Sequence, residues 1–171
     1  MNTEKSNHLT GLDRVERYVS ETRSMETVWM VNYDVIKLLK VRFYYLEVRM
    51  TAARDGKQKA IENALQDLTK FVIQAKNWVS TQPQTLTNFE RTSFEVLLIS
   101  SYGSKLLKNI VMFDEVMCEL ASAQYAGGQS PNLRVNYLSG FSSLIYALVE
   151  IAKKSEPHFM LDGTERNFEM A

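Results

Sequence analysis

The chain has 171 residues, 45% of them hydrophobic, and its 20 basic side chains are balanced by 20 acidic ones. A chain of this size and apolar content buries a core without staples, which argues against disorder, and zero net charge argues against a uniformly basic nucleic-acid binder. Only 7 Gly and 3 Pro are present, too few for a sandwich of many short strands and turns, so long helices are expected.

Residues 1–24 form a polar N-terminal arm in which Leu12, Val15 and Val19 give only weak helical spacing. It has no apolar core of signal-peptide type, and no apolar run was found to approach the roughly 20 residues that span a bilayer. A cytoplasmic protein without membrane contact is therefore expected. Segment 26–33 (ETVWMVNY) is dense in β-branched and aromatic residues and reads as a short strand. It stops at Asp34, a good helix cap, after which Ile36, Leu39, Phe43, Leu46 and Met50 recur at helical spacing. That helix is expected to end near 54–56, with Gly56 in the left-handed conformation. A second helix carries Ile61, Leu65, Leu68, Val72, Ala75 and Val79 and must stop before Pro83. Residues 80–90 read as a loop.

The second half repeats this order. Residues 94–100 are a β-compatible apolar run, and Ser101 caps a helix carrying Leu106, Leu107, Ile110, Val111 and Met117. Gly127-Gly128 breaks the chain. Ser130 followed by Pro131 then starts a last helix, lined by Leu138, Phe141, Ile145 and Leu148 and ending before Pro157. A domain over 25–156 thus reads strand–helix–turn–helix twice, without evident residue identity between its halves, and 157–171 reads as a flexible tail. The alternative is that 94–100 extends the helix after it, because a short apolar run has no diagnostic period.

Chemistry is hard to assemble from this chain. Its two histidines, His8 and His158, fall in the end segments and have no partner at metal-ligand spacing. Cys118 is single and lies in an apolar helical pattern, as a buried, inert thiol does. Gly127-Gly128 is more simply a helix break than a phosphate cradle. Asp114 shares a helix face with Ile110, Met117 and Ala121 and so points toward the core or its edge, where it needs a partner and is expected to tie two helices together. The expectation is a protein without enzymatic activity, cofactor, metal or small-molecule substrate.

Charge is clustered locally. Between residues 37 and 59 lie Lys37, Lys40, Arg42, Arg49, Arg54, Lys57 and Lys59, against only Glu47 and Asp55. A solvated helix face is the commoner explanation of such a run, and a polyanion site the alternative.

From Phe94 to Gly128 the features Ser101-Tyr102-Gly103, Leu106-Leu107, Phe113-Asp114 and the Ala-rich stretch from Ala121 to Gly127 resemble the AcaB-like family. These are transcriptional regulators of conjugative plasmids and integrating conjugative elements. The resemblance covers about 35 residues and implies a mainly α fold of ribbon–helix–helix type with extended helices and a short two-stranded β ribbon. It implies a homodimeric activator of transfer genes whose ribbon enters the major groove of double-stranded operator DNA. Two such arrangements are open: one half makes the ribbon across a dimer, or both halves pair within the chain. If the first half supplies it, either Thr27, Trp29 and Val31 or Val28, Met30 and Asn32 face the groove. Arg23, Lys37, Lys40, Lys57 and Lys59 would then meet phosphates. The rival reading, supported by the neutral charge, is a helical protein–protein interaction component of the same mobile element that never touches DNA.

Overall fold

A computed structural model of the chain describes residues 10–11 and 24–166. Its elements are β1 (Ser24–Met30), α1 (Tyr33–Ala52), α2 (Asp55–Val79), β2 (Thr92–Leu98), α3 (Ser101–Tyr125) and α4 (Pro131–Lys153), followed by a short 3-10 turn at Glu156–His158. Both strands that the sequence suggested are present, each shifted by about two residues. The shift comes from the caps. Asn32, not Asp34, caps α1, its side chain accepting from the backbone N–H groups of Asp34 and Val35. Likewise Ser100, not Ser101, caps α3 by accepting from Gly103 N–H. Ser130 and Pro131 start α4 as their order predicts.

The α1–α2 turn differs from expectation. The left-handed residue is Asp55, with φ 46°, while Gly56 lies inside α2. Gly56 is needed for a different reason: a Cβ there would collide with the carbonyl of Met160. The segment after α4 is thus docked on the start of α2, where a flexible tail was expected. Phe159, at 3% exposure, is the side chain that seals it, and Phe159 bridges to Glu165 in antiparallel fashion. Burial of an aromatic ring outweighs the polar character of the segment that made it read as frayed.

β1 and β2 pair antiparallel in one two-stranded sheet, with Thr27 opposite Glu95 at the centre. The ribbon is complete within a single chain, so of the two arrangements open to the sequence the intrachain one is adopted. The register carries a symmetry. β1 starts at residue 24 and β2 at residue 92, 68 positions later, and the caps Asn32 and Ser100 keep the same offset. Thr27 and Glu95 are also 68 apart and face each other, so a pseudo-twofold axis passes through that pair.

Helix packing obeys the same axis. α1 packs on α3 and α4, and α2 packs on α3 and α4, so each half rests mainly on the other half rather than on itself. Phe43, Phe94, Phe113 and Phe141 lie at the centre of the shared core, with Phe113 and Phe141 stacked at 4.0 Å. α4 is long and apolar enough to cross a membrane by length and composition, with a mean hydropathy of 1.3 over an 18-residue window. It does not stand out as a continuous apolar run because Asn136, Ser139, Ser142 and Ser143 interrupt it without adding charge. In the fold its Phe141, Ile145, Leu148, Val149 and Ala152 are buried against the other helices.

Candidate nucleic-acid interface

The ribbon is held to the helices by two buried carboxylates, one at each strand–helix junction. Asp114 on α3 accepts from Val31 N–H at 2.9 Å and from Asn32 N–H at 2.7 Å. Glu47 on α1 accepts through one oxygen from Ile99 N–H at 2.7 Å and Ser100 N–H at 2.9 Å. The two clamps are reciprocal: each half's first helix grips the other half's junction. They are also nearly equivalent, Glu47 standing 15 residues after its cap and Asp114 standing 14 after its own. Burial pushes both carboxyls above their ordinary range, against the pull of the backbone N–H donors. The other Glu47 oxygen is buried without a hydrogen-bond partner, and Gly103 makes room for it, since a Cβ at 103 would fall on that carboxylate. Asp114 has the structural role expected of it, but it ties its helix to the end of a strand and not to a second helix. Glu47 was missed, because a carboxylate in the middle of a basic run gives no sign of burial.

Alternation decides which residues the ribbon shows. Val28 and Met30 of β1, with Phe94, Val96 and Leu98 of β2, point into the core. The other face carries the pairs Met25–Leu97, Thr27–Glu95 and Trp29–Ser93, with Met25 at 60% and Trp29 at 56% exposure. Thr27 and Trp29 therefore stand on the outward face. Asn32 does not, because its side chain is spent on the α1 cap. No Lys or Arg belongs to the two strands.

The candidate lysines separate. Lys37 is exposed and lines a groove between α1 and α4 with Arg42 and Tyr146. Lys40 is half-buried and lies 5.3 Å over the Phe94 ring, beside β2. Lys59 is exposed, pairs with Glu62 at 3.6 Å, and shares with Tyr102 and Lys105 a groove of about 430 Å³ between α2 and α3. Lys57 is not available to a phosphate. It is 6% exposed and its ammonium donates to the Ala152 carbonyl at 3.1 Å, which makes it a core residue whose pKa burial lowers. Arg23 lies outside the described residues. Arg91, 68 positions after Arg23, is exposed just before β2 and exerts a pull on Asp114.

Other chemistry does not gather. Cys118 is half-buried and its thiol is pushed up to about 11, by burial first and the Asp114 charge second. Among the described residues, no three His, Cys, Asp or Glu side chains are grouped so that they could hold a metal ion.

No protein-family model and no curated protein matches this chain. A solved structure does. The crystal structure of AcaB from uropathogenic E. coli superposes with a TM-score of 0.61, over 78% of this chain and 77% of AcaB, at 9% sequence identity. The fold is AcaB-like. At that identity the likeness is one of architecture, and it extends well beyond the stretch in which the sequence resemblance lies.

Proposed function

We propose that the chain is a DNA-binding transcriptional regulator of conjugative transfer genes, an activator by its resemblance, and that its β ribbon is the element presented to the major groove. The observation that carries this reading is the ribbon itself: two antiparallel strands related by a pseudo-twofold axis, clamped on a helical core, in an AcaB-like fold. Two antiparallel strands fit the width of a major groove, and a twofold through their centre matches the symmetry of duplex DNA. The assignment to the ribbon–helix–helix class is part of the proposal. In it one chain supplies both strands, and the homodimer expected from the sequence would set two ribbons on two half-sites. Cytoplasmic location and the lack of enzymatic activity belong to the same reading.

The test is a mobility shift with the full chain and a mixed duplex pool at roughly 50 and 200 mM salt, where several phosphate contacts make binding fall steeply. Retention at the lower salt, with enrichment of particular sequences, is the expected result. Folded protein that retains nothing refutes the reading.

A second reading has its own observation. The outward ribbon face exposes Met25 and Trp29 around an acidic centre at Glu95, a composition that also suits an apolar, basic protein segment. The two readings part at Glu95→Gln. Removing the acid strengthens duplex binding when the ribbon lies in the groove and weakens capture of a basic partner when it does not.

A further inference from the structure

We propose that the ribbon is framed by two symmetry-related lysine pairs, Lys37 with Lys40 and Lys105 with Lys108, which hold phosphates on both sides of the groove it occupies. This rests on the DNA-binding reading and extends it to residues that the basic cluster at 37–59 does not include. The 68-residue offset fixed by the strands and caps lays Lys37-Leu38-Leu39-Lys40 on Lys105-Leu106-Leu107-Lys108, an identical tetrapeptide in each half. The inner leucines Leu39, Leu106 and Leu107 are buried and Leu38 packs against the core, so the spacing explains why the lysines at the ends lie together on one outer face. The same offset relates Arg23 to Arg91.

The fold places the two pairs on opposite edges of the ribbon. α1 lies beside β2, with Lys40 over Phe94, the Tyr44 hydroxyl accepting from Leu97 N–H, and Glu47 on the end of the strand. α3 lies beside β1, with Asp114 on its end. The axis that exchanges β1 and β2 therefore carries Lys37 and Lys40 from one edge to Lys105 and Lys108 at the other.

Three of these four lysines differ from most other described lysines in how their charge is met. Lys59, Lys70, Lys76, Lys153 and Lys154 each sit within an ion pair, and Lys57 is buried. Among the described residues, Lys37, Lys105 and Lys108 are exposed and make no ion pair. Lys37 on one side, and Lys105 and Lys108 on the other, thus put positive charge along both edges of a ribbon whose strands carry no Lys or Arg. Two rows of phosphates bordering one groove are the polyanion with that spacing of charge.

The experiment measures binding of the full chain to a labelled mixed duplex as a function of salt, for K37E/K40E, K105E/K108E and their Gln counterparts, with K153E as control. Each pair removed lowers the salt slope by about 1.8, so the affinity lost between roughly 50 and 200 mM salt shrinks about 12-fold. Both pairs should do so alike, and K153E should leave the slope unchanged. The Gln variants keep the count readable if charge reversal unfolds the chain. A slope that responds to Lys37 and Lys40 but not to Lys105 and Lys108 overturns the frame and leaves the DNA-binding reading standing. Equal losses in K153E reduce the effect to general charge and overturn it as well. Folded wild-type protein without any binding overturns both.

Discussion

The two carboxylate clamps show how single residues set the position of the ribbon. Removing the Asp114 carboxyl leaves the N–H groups of Val31 and Asn32 without acceptors at a junction that is 3% exposed at Asp114. Hydrogen bonds to a charged group and the cost of orphaned donors put the loss for Asp114→Ala at about 3 kcal/mol, read by urea unfolding. Glu47 makes a prediction of sign. Its folded pKa is raised from the ordinary 4.5, chiefly by burial. The folded state thus holds this proton more tightly than the unfolded state does. Its contribution is fully present below the unfolded value and is lost as pH rises through the folded one. Asp114 acts in the same direction from 3.8. Glu47→Gln keeps an acceptor for Ile99 and Ser100 and removes the ionisable group. The stability difference, variant minus wild type, is therefore expected to move in favour of the variant between pH 5 and pH 8. A difference that stays flat over that interval would show that Glu47 does not change its proton affinity on folding.

At the scale of elements, the chain after α4 is the part that sequence reading handled least well. Polar residues, a proline and a glycine gave 157–166 the composition of a loose end, yet its one ring, Phe159, closes over the start of α2 at Gly56. Composition averages over residues, whereas docking is decided by a single large side chain and a glycine about 100 positions away. Phe159→Ala is expected to cost about 3 kcal/mol, the usual range for a buried aromatic truncated to Ala. Gly56→Val should cost as much by expelling the same segment, and the double variant should cost little more than either single one, since both break one contact. Strictly additive losses would show that the two residues act at separate places. The helices were legible because 3.6-residue stripes are local signals, and the strands because 26–33 and 94–100 are rich in β-branched and apolar residues, although the second run has no diagnostic period. The site was legible only in part. Thr27 and Trp29 face outward as one of the two alternations required, but Asn32 was lost to a cap and Lys57 to the core. The cap is a local choice between Asn32 and Asp34 that the true helix start decides, whereas the lysine is decided by a carbonyl on α4 that no local pattern reveals.

For the whole molecule, the decisive feature is a pseudo-twofold symmetry built within one chain. The repeat was present in the sequence as two copies of Lys-Leu-Leu-Lys, yet four residues out of 171 do not stand out until the strand register supplies the offset of 68. The intrachain ribbon also has a thermodynamic consequence. When two chains intertwine to share a ribbon and a core, unfolding releases two molecules and the melting temperature climbs with protein concentration. Here β1 pairs with β2 of the same chain and α1 and α2 pack on α3 and α4, so one chain closes its own core. The midpoint of thermal unfolding should therefore stay constant within a degree or so over a hundredfold range of concentration, whether or not folded copies associate weakly through other surfaces. A midpoint that rises by several degrees across that range would mean that the ribbon or core is completed by exchange with a second copy. The monomeric ribbon on which both the groove reading and the lysine frame are built would then have to be redrawn across two chains.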